Sequence, residues 1–273
     1  MCRLVAYCGP SIPLENIVIN PSHSLVVQSQ VAEEAKLAVN GDGFGLAWYA
    51  DHDSTVQTDV PNTLPALYKE VMPAWANPNL LHICRAVRSG VFLAHVRAST
   101  FGGASYQNCH PFTHGRWSFV HNGQIGGFAQ LRRSLESLLP DQLFHARQGI
   151  TDSELVFLLL VANGLENSPR TACETTVSQI AELHRQKKVR APLRLTFVLT
   201  NGVSLYGCRY SSDDTSPTLY LSNELDHGGF ALASEPLDGG HDNWTMVEES
   251  TLVRLDRFHQ ERFALAPVEL AAA

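Results

Sequence analysis

Residues 1–10 read MCRLVAYCGP, and their reading sets the frame for the rest of the chain. Leu4 to Cys8 is an uninterrupted apolar run that the Gly9-Pro10 pair ends, so it reads as a buried first strand. Cys2 stands just ahead of it. If Met1 is removed, the Cys2 thiol lies beside its own α-amino group, whose pKa of about 7.7–8.0 makes it a base at neutral pH. Nucleophile and base then share one residue. The alternative is an ordinary thiol that happens to follow Met1. The stretch does not read as a secretory signal, because Gly9-Pro10 cuts it short of the roughly 7–15 apolar residues required.

Beyond that first run, Gly43 to Tyr49 (GFGLAWY), Val91 to Val96 (VFLAHV) and Trp117 to His121 (WSFVH) read as further strands. Apolar Leu64, Leu67, Val71 and Met72 give residues 64–75 helical spacing. Residues 127–139 also look helical and stop at Pro140. Thr151 to Ala162 reads as a helix with Thr151 as N-cap and Glu154 three residues on, a capping box, and residues 171–188 repeat the pattern. Short strands then follow at 193–199, 203–209, 219–222, 230–234, 245–247 and 252–255. Asn201-Gly202 fits a two-residue hairpin loop between the first two. No linker, charge block or repeat divides the chain, so antiparallel sheets with packed helices in one domain is the simplest account.

Composition sets the outer limits. Of 273 residues 17% are charged, below the roughly 25% usual for soluble domains, which implies a sizeable core. The formal net charge of -7 argues against a nucleic-acid binder. The longest apolar run, LVFLLLVA from Leu155 to Ala162, is far short of the about 20 residues that span a bilayer. No two of the six cysteines form a Cys-x-x-Cys pair. Reduced thiols in a soluble cytoplasmic protein are therefore expected. There is no phosphate loop, and Gly41, Gly43 and Gly45 lack the later glycine of a dinucleotide fingerprint. Cys109, His110 and His114 form a metal-like trio interrupted by Pro111, and they read as loop residues; no metal and no cofactor are expected.

Three further segments could carry chemistry. Arg97, in HVRASTFG (residues 95–102), closes a strand and enters a Gly-rich loop; it can clamp a carboxylate bidentately or form a surface salt bridge. In His121-Asn122-Gly123, the Asn122 amide and the Gly123 N–H can stabilise one oxyanion, or the pair can be a plain turn. In Thr151-Asp152-Ser153-Glu154, Asp152 can hold an ammonium or simply favour the helix start.

In this order these residues resemble the class II glutamine amidotransferases, which are N-terminal nucleophile hydrolases. The segments MCRLVAY, SHSLVVQSQ from Ser22, NGDGFGLAWYA from Asn40 and NCHPF-x-HGRW-x-FVHNGQI from Asn108 look like a stand-alone branch of that family. That branch includes the ergothioneine-pathway γ-glutamyl hydrolases and glutathione-degradation amidohydrolases. Ala98 and Phe101 stand where synthase-linked members have Trp and His.

The resemblance implies an α+β fold, a four-layer αββα sandwich of two antiparallel sheets flanked by helices, as a single domain over residues 2–273. It implies Cys2 as nucleophile, with Asn122 and Gly123 as oxyanion donors. Arg97 with Thr100 would bind the substrate α-carboxylate and Asp152 its α-ammonium. His23 and His110 either line the pocket or are structural. The implied activity is hydrolysis of the γ-amide of glutamine or a γ-glutamyl compound through a Cys2 thioester, releasing glutamate. The alternatives are a glutaminase subunit feeding ammonia to a separate synthase and an inactive module that binds a γ-glutamyl metabolite. The expected partner is a small-molecule γ-glutamyl substrate, with a homodimer or a synthase subunit left open. The length suits a glutaminase domain without an attached synthase.

Overall fold

The computed structural model describes residues 2–35, 38–50, 64–99, 103–238, 240 and 242–265. Its strands in chain order are β1 (Arg3–Pro13), β2 (Phe44–Trp48), β3 (Ala66–Glu70), β4 (Arg88–Val96), β5 (Phe112–His114), β6 (Trp117–Ile125), β7 (Leu193–Thr200), β8 (Leu205–Ser211), β9 (Tyr220–Ser222), β10 (Phe230–Ala233), β11 (Trp244–Met246), β12 (Thr251–Leu255) and β13 (Gln260–Ala264). The helices are α1 (Glu15–Val18), α2 (Leu25–Gln30), α3 (Pro78–Ala86), α4 (Phe128–Glu136), α5 (Asp141–Ala146), α6 (Asp152–Ala162) and α7 (Pro169–Gln186). One sheet runs β11-β9-β10-β1-β4-β2-β3 and the other β13-β12-β8-β7-β6-β5. Every recorded strand pair is antiparallel.

Three apolar clusters make the layers. On β1, Leu4, Ala6 and Cys8 point into a core shared with Val120, Val198, Leu205 and Val253 of the second sheet. Val5 and Tyr7 point the other way, into a core closed by Ile17, Leu25 and Leu80 from α1, α2 and α3. On β7, Leu193, Leu195, Phe197 and Leu199 face a third core built with α4, α6 and α7. Period-two alternation thus gives each sheet one face toward its partner and one toward helices. The result is helix, sheet, sheet, helix, as the resemblance implied. The α6 sequence is apolar nearly all round, as suits a helix enclosed on most sides, and its residues from Ser153 to Leu160 are buried.

Three local readings change. Residues 64–75 contain the edge strand β3 and a short 3-10 turn at Ala74–Ala76, not a long helix. Leu64, Val71 and Met72, which supplied the helical spacing, are exposed and bury no common face. The hairpin between β7 and β8 pairs Thr200 with Leu205, so its loop has four residues, 201–204. Asn201 Oδ1 accepts the N–H groups of Val203 and Ser204, each at 3.0 Å, which makes the turn with its own side chain. Helix α7 starts at Pro169 under a Ser168 cap, ahead of Thr171.

Candidate active site

Cys2 leads into β1. The pairing of Arg3 with Val96 places it alongside the end of β4. The Ala98 N–H donates to Cys2 Sγ at 3.4 Å, and the thiol donates back to the Ala98 carbonyl at 3.6 Å. Burial pushes the thiol pKa up, and the Ala98 N–H offsets this only in part. A thiol so placed is protonated at neutral pH and needs a base to become a nucleophile.

Arg97 sits just past β4, its backbone N–H donating to Gly43 O at 2.8 Å. The guanidinium is buried and folds onto its own loop: Nη1 donates to Gly103 O at 2.7 Å and Nη2 to Ser99 Oγ at 3.1 Å. Asp42 steadies that loop by accepting the Ser99 N–H at 2.7 Å. The site is therefore lined by a cation held in place by backbone. Thr100 lies outside the described residues.

Asn122 and Gly123 are inside β6, not at a turn. Val120 faces the core between the sheets, so Asn122, two residues on, faces the same way. Asn122 is fully buried, and neither its Oδ1 nor its Nδ2 has a hydrogen-bond partner among the described residues. A buried amide left unmet costs about 1–3 kcal/mol, which suits a group that meets its partner only when ligand is bound. Gly123 is required sterically. A Cβ there would collide with the Arg194 carbonyl and approach His121 Nε2 to 2.5 Å.

Asp152 is the first residue of α6. Its Oδ2 accepts the Ile125 N–H at 2.8 Å, and its Oδ1 accepts the Ser153 N–H at 2.9 Å. The expected cap is half present. Thr151 Oγ1 accepts the Glu154 N–H at 3.2 Å, but the Glu154 carboxylate takes the N–H groups of Gln148 (2.8 Å) and Gly149 (2.6 Å).

Histidines connect these parts. His95 Nε2 lies 3.2 Å from the His121 carbonyl, bridging the two sheets, and His121 Nδ1 lies 2.9 Å from Ser153 Oγ beside Asp152. His110 packs against His95 with ring centroids 4.1 Å apart and planes tilted by 46°, and both its nitrogens lack partners among the described residues. Burial drives the His95 pKa down to about 3 and that of His110 well below its ordinary value, so both rings are neutral. Contacts thus run from Cys2 through the end of β4 and His95 to the Asn122-Gly123 strand and on to Asp152. His95 and His121 each open one of the sequence motifs, yet nothing in the sequence reveals their bridging role. Among the described residues no group of three or more His, Cys, Asp or Glu is placed to hold a metal ion. The Cys109 thiol is turned instead to the carbonyls of Glu70 and Ser105. No helix among the described residues is long and apolar enough to cross a membrane.

The family described as glutamine amidotransferases class-II matches residues 1–221. A probable glutamine amidotransferase of Saccharomyces cerevisiae, DUG3, is 30% identical over 94% of this chain and 82% of its own length. The γ-glutamyl-hercynylcysteine sulfoxide hydrolase of Mycolicibacterium smegmatis is 27% identical over 95% of this chain and 97% of its own. Among solved structures, a glutamine aminotransferase class-II domain protein from Silicibacter pomeroyi superposes with a TM-score of 0.73 at 32% identity, covering 97% of this chain and all of that one. The phosphoribosylpyrophosphate amidotransferase of B. subtilis, with a TM-score of 0.61 at 12% identity, shares the fold. The matching segment takes in Cys2, Arg97, Asn122, Gly123 and Asp152 and most of both sheets, and the chain belongs to the class-II glutamine amidotransferases.

Proposed function

We propose that the chain hydrolyses the γ-amide of a γ-glutamyl compound with Cys2 as nucleophile. With Met1 removed, the Cys2 α-amine takes the thiol proton, and sulfur attacks the γ-carbonyl carbon to form a C–S bond. Asn122 Nδ2 and the Gly123 N–H receive the oxyanion. Collapse breaks the C–N bond, and the amine returns its proton to the leaving nitrogen. Water then cleaves the thioester to release glutamate and free Cys2. Arg97, with Thr100, takes the substrate α-carboxylate, and Asp152 its α-ammonium. The observation that carries this reading is the Asn122 amide, buried and without a hydrogen-bond partner among the described residues, on the face that looks toward the Cys2 sheet.

A glutaminase half serving a separate synthase uses the same chemistry. The nearly full-length match to a γ-glutamyl hydrolase supports the stand-alone form. The test is glutamate release from glutamine, γ-glutamylglycine and γ-glutamylcysteine by protein whose Met1 removal is confirmed by intact mass. Turnover that disappears in Cys2→Ala with unchanged thermal unfolding is expected. Full activity in that variant would remove Cys2 as nucleophile. No release from any substrate would favour a binding module.

A further inference from the structure

Arg3 follows Cys2 but faces the opposite way, since alternation along β1 sends it to the helix side with Val5 and Tyr7. It is fully buried, and its Nη1 lies 3.0 Å from Glu235 Oε1. Glu235, two residues past β10, stands across from Arg3 because Val5 pairs with Ala233. Its carboxylate also meets His23 Nε2 at 2.7 Å and accepts the N–H groups of Glu33 (3.1 Å) and Glu34 (2.9 Å). Gln28 Nε2 donates to the His23 carbonyl at 2.9 Å and to the Glu235 carbonyl at 3.5 Å, fixing both partners. The carboxylate is thus held by the start of β1, the entry to α2 and the 33–34 segment. Arg3 Nε and Nη2 have no hydrogen-bond partner among the described residues, so Glu235 is the group that meets this buried cation.

This much ordering around a charge pair beside the nucleophile has a chemical consequence. A cation one peptide away favours the thiolate and opposes protonation of the Cys2 amine. Too strong a field would leave that amine too weak a base. Burial already works against the charge on Arg3, and Glu235 offsets part of that.

We propose that Glu235 is a positioning residue for Cys2: acting through Arg3, it fixes the start of β1 and balances the positive charge beside the nucleophile. The inference rests on the assignment of Cys2 as nucleophile. The charged groups acting on Cys2 are the N-terminal ammonium, Arg97 and Arg3, and the Cys109 thiol interacts with it; those acting on Arg3 are Glu235 and Glu34.

The test is the pH dependence of Cys2 alkylation by iodoacetamide, read by peptide mass on Met1-free protein. The other cysteines are buried. Glu235→Gln removes the charge at nearly constant shape and should shift the alkylation midpoint to lower pH, on the order of half a unit. Arg3→Met should shift it upward, and the double variant should return toward wild type. A purely structural role predicts no opposed shifts. An unmoved or upward midpoint in Glu235→Gln overturns the proposal; if that variant does not fold, the Arg3→Met and Arg3→Lys pair decides it, with Lys staying near wild type. Glutamate release from γ-glutamylglycine is measured alongside. Opposed midpoint shifts without turnover in wild type would support the charge coupling while refuting the hydrolase reading.

Discussion

The Asp152 carboxylate accepts the Ile125 backbone N–H at 2.8 Å, tying the first residue of α6 to the last residue of the strand that carries Asn122 and Gly123. The bond makes Asp152 both a structural strut and the proposed ammonium partner, and two substitutions separate these roles. Asp152→Asn keeps an acceptor for Ile125 and should change stability by less than about 1 kcal/mol. Losing the charge should raise KM about tenfold or more with kcat little changed, the pattern of lost ground-state binding. Asp152→Ala should also strand the Ile125 N–H and cost about 1–3 kcal/mol in urea unfolding. Unchanged KM in Asp152→Asn would remove the ammonium role.

Asn122 makes the contrasting case. Its amide meets no hydrogen-bond partner among the described residues, so folding gains nothing evident from it. Asn122→Ala should therefore leave the urea midpoint equal or higher. An oxyanion donor acts mainly in the transition state, and its loss should lower kcat about 10²–10³-fold with little change in KM. Destabilisation with retained kcat would reverse that assignment and make Asn122 a structural residue.

The parts of this fold legible in the sequence are those governed by local periodicity. The apolar alternation of β7 and the closed apolar sequence of α6 specify their environments without reference to the rest of the chain. Cys2, Arg97, Asn122 and Asp152 were legible as short motifs, each ambiguous alone. What stayed hidden depends on contacts distant in sequence. Arg3 meets Glu235 across 232 positions, and His95 meets the His121 carbonyl across 26. Edge strand β3 is hidden because exposed apolar residues on either side of it, Leu64 before and Val71 and Met72 after, mimic a helical face together with Leu67. Asn122-Gly123 carries the dipeptide of a turn yet lies mid-strand, because packing against Arg194 of β7 selects glycine there.

The buried histidines set the response to acid. Burial holds His95 neutral down to a pKa of about 3 and drives His110 well below its ordinary value; burial also lowers His121, with Asp152 opposing. In the unfolded chain a histidine titrates near a pKa of about 6.5. Above that value both states are neutral and the full contribution is present. As pH falls below it, the unfolded chain takes up protons that the native state refuses, and stability declines toward the folded pKa. Glu235 adds to the fall from a lower onset: burial raises its carboxyl pKa, but His23, the Glu33 and Glu34 N–H groups and Arg3 outweigh this and hold it below its ordinary value. Decline should thus begin near pH 6.5, ahead of the carboxylate range, with a slope of up to about 1.4 kcal/mol per pH unit for each histidine involved. His110→Phe replaces a ring that packs tilted against His95 and edge-on against Phe112, and should reduce that slope by about one proton between pH 6 and 4.5. Urea midpoints across that range measure it, and a variant as acid-sensitive as wild type would mean that His110 is not excluded from protonation by burial.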